Sequence, residues 1–209
     1  MENSLMVIAV GGGGLNVAKF ISKTAKEAKR NINLFAIDTE EDDLMSSGLD
    51  NKILIQDENS TEEVEGKLNP HLGGVKIGVV ISALGGRTGS TLTPQIAKLL
   101  HEHKIASLCI VTTPFALEGK DAASRALNSI VQILECHSTL VQKSNESLAK
   151  EMGTLSLVAV FQYFDAKIAD LVFAINDASL QGKESLIIPI LQEGKEFEGD
   201  DLKDMFTKI

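Results

Sequence analysis

Short apolar runs recur along the chain, and stretches with helical spacing separate most of them. Such runs, rich in Ile, Val and Leu, are typical of strands that are buried on both faces. Six runs are interpreted as strands: Leu5–Val10, Asn33–Asp38, Lys52–Gln56, Lys76–Leu84, Ala106–Pro114 and Thr139–Lys143. Strands that alternate with helices predict an α/β fold in which helices cover both faces of a Rossmann-like parallel sheet, giving three layers.

The helical stretches have apolar residues three to four positions apart. They are Gly14–Lys29, Thr91–His103, Gly119–Glu135 and a long segment after the sixth strand, Thr154–Ser179. Leu186–Ile190 is interpreted as a further short strand or an extended connector, and Asp200–Thr207 as a short helix. We therefore expect one domain over residues 1–182, followed by an acidic tail over residues 183–209.

The composition narrows the classes of partner. The chain has 209 residues, and its net charge is −9 at neutral pH. An acidic excess of this size repels phosphate backbones and anionic lipids, so neither nucleic acid nor a membrane is expected as a partner. The cysteines, Cys109 and Cys136, form no close pair and indicate reduced thiols in a cytoplasmic compartment. No spacing of His and Cys predicts a metal site.

Two glycine-rich segments lie where a predicted strand passes into a helix. Glycine lets backbone N–H groups approach an anion closely, and a helix N-terminus adds partial positive charge. Two such turns predict two contacts to one phosphate-bearing ligand, with hydroxyl groups of the second segment available to phosphate or to a hydrated metal. Tight turns without a ligand are the alternative. The segments consist of Gly11, Gly12, Gly13 and Gly14, and of Gly85, Gly86, Arg87, Thr88, Gly89 and Ser90.

Two better-known phosphate-binding motifs match less well. The dinucleotide pattern needs a glycine at Asn16, although Asp38 stands where an acid would bind a ribose. The P-loop pattern needs Gly-Lys-Ser/Thr at the start of the helix, and the sequence contains no such triplet. A Rossmann-like dinucleotide-binding domain therefore stays open as an alternative, but such a domain has no need of the second glycine segment.

The order of these motifs resembles the FtsZ/tubulin family. Gly85–Thr91 is similar to the family signature Gly-Gly-Gly-Thr-Gly-Thr-Gly, with Pro94 at the family's spacing, and Pro114–Lys120 is close to the bacterial Pro-Phe-x-x-Glu-Gly-Lys. The first glycine segment, extended to Asn16, also matches its counterpart. The resemblance implies a nucleotide-binding domain with a long central helix after the sixth strand. Its implied ligand is GTP or GDP, with Mg²⁺ when a γ-phosphate is present.

The resemblance also implies roles for individual residues outside the glycine segments. Glu118 would contact the ribose, Asn145 and Asp165 would contact guanine, and Phe161 would stack on the base. An acid-bearing loop of the family, which positions the attacking water in the next subunit, lines up with the tail. The implied catalytic residues are Glu198 and Asp201, and a solvated acidic tail is the alternative.

The chain departs from the family pattern at several positions. Arg87 and Thr91 replace glycines, Asp57–Gly74 stands where the family has a glycine-rich γ-phosphate loop, and an arginine is missing after Lys120. The second domain of the family is also absent from this sequence. We expect a guanine-nucleotide-binding protein that assembles into a filament or regulates one. By itself it should be a monomer or weak oligomer with little hydrolysis, and a full-length relative is a candidate partner. The alternatives are a degenerate interaction module without nucleotide and the dinucleotide-binding domain.

Overall fold

The computed structural model of the protein describes residues 4–151, 153 and 156–198. Its strands are β1 (Leu5–Val10), β2 (Leu34–Asp38), β3 (Asn51–Leu54), β4 (Ile77–Ala83), β5 (Ala106–Thr113), β6 (Thr139–Ser144) and β7 (Glu196–Glu198). Its α-helices are α1 (Gly11–Glu27), α2 (Glu41–Ser46), α3 (Thr61–Leu68), α4 (Arg87–Glu102), α5 (Lys120–Glu135), α6 (Asn145–Glu151), α7 (Leu157–Leu180) and α8 (Glu184–Gln192). The strands form one parallel sheet in the order β3-β2-β1-β4-β5-β6-β7.

Helices cover both faces of the sheet. Successive residues of a strand point to opposite faces, so a strand covered on both sides needs apolar residues at every position. All six residues of β1 are apolar and buried. On one face α1, α7 and α8 pack against alternate strand residues, and on the other face α3, α4 and α5 pack against the residues between them. This arrangement confirms the predicted three-layer α/β fold with its long helix after the sixth strand.

The order in which the chain adds strands to the parallel sheet reverses between β1 and β4, at the centre of the sheet. From β1 the chain continues to β2 and β3 on one side, whereas from β4 it continues to β5, β6 and β7 on the other. Helices α1 and α4 therefore cover opposite faces of the sheet. In open α/β sheets this topology leaves a crevice at the carboxyl ends of the two central strands, where ligands bind. Both glycine segments lie at these ends, directly after β1 and β4.

The elements without a counterpart in the sequence-based prediction include α2, α3 and β7. Helix α3 lies inside Asp57–Gly74, where its N-terminus is capped by the Ser60 hydroxyl, which accepts from the N–H of Glu63. Only Val64 and Leu68 of this helix are buried, so its apolar pattern is too sparse to identify from the sequence. The stretch that replaces a glycine-rich loop is therefore largely helical.

The prediction of a strand or connector at Leu186–Ile190 is wrong, because these residues lie inside α8. Ile187 and Leu191 are fully buried, and their spacing of four places them on one face of the helix. Pro189 lacks the N–H that would continue the helical hydrogen bonds, which makes the sequence look unfavourable for a helix. The burial of the two apolar side chains outweighs that loss.

The predicted boundary between residues 182 and 183 lies at the turn between α7 and α8. Helix α8 packs into the core beyond it, and β7 pairs in parallel with β6. The assignment of residues 183–209 to an acidic interdomain tail stays a prediction, and the predicted helix Asp200–Thr207 lies outside the described residues. In the part of the chain that the structure describes, no helix combines the length and the apolarity needed to cross a bilayer.

Candidate functional site

The first glycine segment forms the opening turn of α1, three residues earlier than the predicted start of this helix. Gly11 has a φ of +69°, a backbone conformation that glycine adopts readily and other residues rarely. A Cβ on Gly14 would lie 2.4 Å from the carbonyl oxygen of Ile81, and a Cβ on Gly13 would lie 2.3 Å from the Cβ of Ala83. These glycines therefore allow α1 to pass very close to β4.

The second glycine segment turns out of β4 and then starts α4. Gly85 has a φ of +103°, and Gly86 is the N-cap residue of the helix. A Cβ on Gly89 would lie 2.3 Å from the carbonyl oxygen of Ala83, and a Cβ on Gly11 would lie 3.4 Å from the nitrogen of Gly89. The two helices thus begin side by side, and no side chain caps either N-terminus. First-turn N–H groups of two helices are available there to an anion.

The two hydroxyl groups of the second segment have different surroundings. Ser90 is buried, and its Oγ accepts from the N–H of Gly85 at 2.8 Å, which closes the turn. Thr88 is half-buried, and its Oγ1 shares a hydrogen bond of 2.8 Å with the hydroxyl of Thr39, in the turn after β2. Of these two predicted ligands, Thr88 is the better placed to reach a phosphate or its metal.

Arg87 forms an ion pair with Glu58, so its guanidinium is not directed to a phosphate site. Its Nη2 lies 2.5 Å and its Nε 2.9 Å from Oε1 of Glu58, in the loop between β3 and α3. Gln95 of α4 donates to the carbonyl of Glu58 at 2.7 Å. Left-handed backbone among the described non-glycine residues is limited to Lys29, Lys104 and His137, so Arg87 carries no such strain. Arg87 therefore ties the β3–α3 loop to the start of α4.

A cavity of about 250 Å³ opens between α1 and α7, above the carboxyl ends of β4 and β5. Its size is close to that of the smaller ligand sites of proteins. The structure brings four predicted base-binding and polar residues from three different helices into its wall: Asn16, Asn145, Phe161 and Asp165. Gly13 lines the same cavity, so the cavity reaches the first glycine turn. The remaining wall is mostly apolar, with Val17, Phe164 and Ile168 among its members.

Two polar groups in this wall are poorly satisfied by the protein itself. Within the described range, the buried Oδ1 of Asn145 has no hydrogen-bond partner. Burial raises the pKa of Asp165 to about 6, because an apolar surrounding disfavours the ionised carboxylate. A buried acceptor without a donor is costly, so such groups are expected where a ligand supplies the donor. The cavity is therefore suited to a flat molecule that presents N–H groups along one edge.

Glu118 and Asp38 do not line the cavity. The carboxylate of Glu118 accepts from the N–H of Phe115 at 2.7 Å, in the exposed loop after β5. Asp38 is 2% exposed, burial raises the pKa of its carboxyl, and its Oδ1 accepts from the N–H of Thr39 at 2.7 Å. The other oxygen, Oδ2, is buried without a hydrogen-bond partner among the described residues, but it does not face the cavity that holds the predicted base-binding residues.

The catalytic role of Glu198 and Asp201 stays a prediction. Asp201 lies outside the described residues, and Glu198 is described only as the last residue of β7. Strand β7 lies at the edge of the sheet, three strands away from β4. Neighbouring strands are about 4.8 Å apart, so this separation is roughly 14 Å. Glu198 is therefore remote from the glycine turns of its own chain.

Arg125 is a residue of this site that the sequence patterns did not single out. It lies on α5, and its Nε donates to the carbonyl of Gly85 at 2.8 Å. The signal available in the sequence is the scarcity of arginine, because the chain contains only Arg30, Arg87 and Arg125. Two of these three residues lie at the second glycine segment.

Comparison with known proteins gives independent evidence of the family to which the chain is similar. Residues 4–153 match the family model described as the GTPase domain of the tubulin/FtsZ family. The cell division protein FtsZ 1 of Halobacterium salinarum is 25% identical over 180 residues, which cover 79% of this chain and 45% of that protein. FtsZ of Aquifex aeolicus is 26% identical over 189 residues, covering 82% and 50%. The chain spans about half the length of the curated relatives it matches.

Solved structures share the fold. An empty FtsZ dimer from M. jannaschii superposes with a TM-score of 0.72 at 22% identity, covering 84% of this chain and 56% of that one. A GDP-bound monomer of CetZ1 from Haloferax volcanii superposes with a TM-score of 0.71 at 22% identity, covering 92% and 65%. These likenesses show the same arrangement of sheet and helices.

Proposed function

The chain belongs to the tubulin/FtsZ family, since the model of the family's GTPase domain matches 150 of its 209 residues. We propose that it binds a guanine nucleotide between its two glycine turns. The observation that carries the proposal is the cavity beside the first turn, which gathers Asn16, Asn145, Phe161 and Asp165. Guanine presents N1–H and N2–H₂ donors on one edge. These donors complement the carboxylate of Asp165 and the unpartnered Oδ1 of Asn145, with Phe161 as the stacking surface.

The phosphate groups would lie at the paired N-termini of α1 and α4. A carboxylate lies close to this place, since Oδ2 of Asp43 is 3.9 Å from the position of a Cβ on Gly12. Like charges this close oppose the binding of a triphosphate unless a cation lies between them. We therefore expect Mg²⁺ to accompany GTP, with the hydroxyl of Thr88 as a candidate ligand of the hydrated ion. Glu118 would need to release its hydrogen bond to Phe115 in order to reach the ribose.

The function we propose for this site is nucleotide-dependent assembly or regulation of a cytoskeletal filament. Two relatives are named cell division proteins, and one matched structure is described as a GTPγS-bound protofilament of CetZ2. By itself the chain is expected to form a monomer or weak oligomer, because a stable interface needs about 800 Å² from each partner and the net charge of −9 opposes the docking of a second copy. A full-length relative is the proposed partner.

The test of the proposed function is the identity of the bound nucleotide. Purified protein is denatured, and the released small molecules are separated by chromatography and identified. Guanine nucleotide, together with GDP binding in calorimetry, is the expected result. A protein that carries no nucleotide and shows no heat with GDP would instead be the degenerate interaction module, and a copurified adenine dinucleotide would favour the dinucleotide-binding alternative.

Hydrolysis of GTP by the isolated chain is expected to be very slow and to increase with protein concentration. Glu198 lies at the far edge of the sheet from the glycine turns, so acids of this segment could complete only the site of a neighbouring molecule. Phosphate release and sedimentation are measured over the same range of protein concentrations, with GTP and Mg²⁺. A fast rate that is independent of concentration would show that one chain holds a complete catalytic site.

The affinity for guanine nucleotide is expected to fall as the pH falls below about 6. Burial raises the pKa of Asp165 to about 6, so the empty site is ionised above this pH and protonated below it. The ionised carboxylate accepts both guanine donors, whereas the protonated form loses an acceptor, so the loss approaches ten-fold per pH unit. Calorimetry with GDP between pH 5 and pH 8 measures the effect. Asp165→Asn is the control. With this variant the phosphates of GDP still titrate, but the protonation of residue 165 no longer contributes.

The raised pKa of Asp165 affects the stability of the nucleotide-free protein in the opposite direction, because protonation stabilises the folded form. The pKa of Asp165 is higher in the folded protein than the value of 3.8 in an unfolded chain, so the folded form binds the proton more tightly. The contribution of this group to stability is therefore present at low pH and is lost as the pH rises from about 4 to 6. Nucleotide that binds the ionised carboxylate offsets this loss.

A further inference from the structure

Helix α5 holds the second glycine segment through two side chains. Arg125 donates its Nε to the carbonyl of Gly85 at 2.8 Å, and the hydroxyl of Ser129 donates to the carbonyl of Ser90 at 2.7 Å. The N–H of Gly85 donates to Oγ of Ser90 inside the turn. Both ends of the turn are thus fixed to α5, while the N-terminus of α4 between them has no side-chain cap.

Arg125 differs from the two other arginines of the chain in its partners. Arg30 pairs with Asp177 at 2.6 Å, and Arg87 pairs with Glu58 at 2.5 Å. No carboxylate of the described residues forms an ion pair with Arg125, and its Nε is its one hydrogen-bonding atom there. A guanidinium group has five N–H donors, so four remain for another partner.

Arg125 is exposed, and its guanidinium forms no ion pair among the described residues although acids are numerous. The sequence contains 29 acids and 20 lysine and arginine residues, so carboxylates are in excess. Asp121 lies one turn earlier on α5, at the spacing that favours an ion pair on a helix, and Arg125 does not pair with it. The guanidinium instead lies against the turn that leads to Gly86, the N-cap of α4. Since Arg125 is exposed, its remaining donors and its charge are open to a ligand that lies against this turn.

We propose that Arg125 is the cationic residue for the phosphate end of the nucleotide and that its Nε also positions the Gly85 turn. This inference rests on the proposed function. It assigns phosphate binding to a residue of α5, whereas the cavity is proposed to bind the base. The charge of Arg125 favours ligands in proportion to their phosphate charge, and it offsets the acidic groups near the first turn. The base itself gains nothing from Arg125, which lies outside the cavity wall.

The test compares GDP with guanosine, which has the same base and ribose without phosphate. Calorimetry measures both ligands with the wild type and with Arg125→Met, which retains an unbranched side chain without charge or donors. The affinity for GDP is expected to fall by about ten-fold or more, as for loss of one nearby unit charge, and that for guanosine to change less than about two-fold. Arg125→Lys restores the charge without the planar group and should recover part of the affinity.

Two control variants separate charge from structure. Lys98→Met removes the same charge from α4, about 16 Å along the helix from its first residue, and should leave GDP binding unchanged. Ser129→Ala removes the other contact of α5 to the turn without removing charge. It should lower the melting temperature and preserve the ratio of GDP affinity to guanosine affinity.

The outcomes distinguish the two levels of the proposal. No GDP binding by the wild type would overturn both the proposed function and this inference. GDP binding that Arg125→Met leaves unchanged, or that it weakens only as much as guanosine binding, would overturn the inference and leave the proposed function intact. A reduced ratio in Ser129→Ala equal to that in Arg125→Met would also overturn it, because the effect would then belong to the shape of the turn.

Discussion

GDP is expected to bind at least about ten-fold more tightly than ADP, and Asp165→Ala is expected to erase that preference. At neutral pH the carboxylate of Asp165 is an ionised acceptor in a largely apolar cavity. Guanine satisfies it with N1–H and N2–H₂. Adenine has an acceptor lone pair at N1 and only its N6 amino group as a donor beside it, so it cannot offer the carboxylate two adjacent donors. Titration calorimetry with GDP and ADP, on the wild type and the variant, measures the difference.

Two further comparisons make this test specific to the base edge. Phe161→Ala removes the stacking surface, which serves any base, so both nucleotides should weaken and the preference should remain. Inosine diphosphate keeps N1–H and lacks the N2 amino group, so its affinity should lie between those of GDP and ADP. Equal affinities for GDP and ADP in the wild type, or tighter binding of ADP, would contradict the assignment of the cavity to guanine.

Gly14→Ala is expected to destabilise the fold by about 3 kcal/mol or more, a loss at the upper end of overpacking effects. The added Cβ would lie 2.4 Å from the carbonyl oxygen of Ile81 and 3.3 Å from the carbonyl carbon of Ala9. Both neighbours are backbone atoms of the two central strands, so neither can move without shifting the sheet. Equilibrium unfolding in urea measures the effect as a lower midpoint or as failure to obtain folded protein.

Gly12→Ala is the matched control for Gly14→Ala. Both glycines lie in the first turn of α1, but the nearest atom to a Cβ on Gly12 is Oδ2 of Asp43 at 3.9 Å. Stability should stay the same or rise, since alanine is favoured over glycine in helices by up to about 1 kcal/mol. If the two variants were equally stable, α1 could not lie as close to β4 as the structure indicates.

Most of the strands could be predicted because they are buried on both faces, which requires an uninterrupted apolar run in the sequence. Leu5–Val10 is apolar at every position and is followed directly by glycine, so its pattern indicates a strand without knowledge of its neighbours. The apolar run Leu186–Ile190 lacks this clarity, since burial on one helical face and burial in a strand give similar short runs. Its proline favours the wrong interpretation.

The candidate site was predictable to a different degree. Asn145, Phe161 and Asp165 carry no local signal for a nucleotide and were identified through the order of motifs that resembles a family. The contacts of Arg87 and Arg125 could not be predicted, because each depends on a partner far away in sequence. Glu58 lies 29 residues before Arg87, and Gly85 lies 40 residues before Arg125. Such pairs become visible only when the packing of the helices is known.

The pairing of β1 with β4 has a consequence for the synthesis of the protein. Leu5 lies opposite Ile77 and Val10 opposite Ser82. Strand β1 therefore cannot pair with β4 until about 70 further residues have been translated. At about 5–20 residues per second, this delay is on the order of 4 to 14 seconds. Strand β2 appears earlier, but two strands without a covering layer are only marginally stable. During this interval β1 exposes an apolar, unpaired edge at the ribosome, so the risk of aggregation is greatest before the chain is complete.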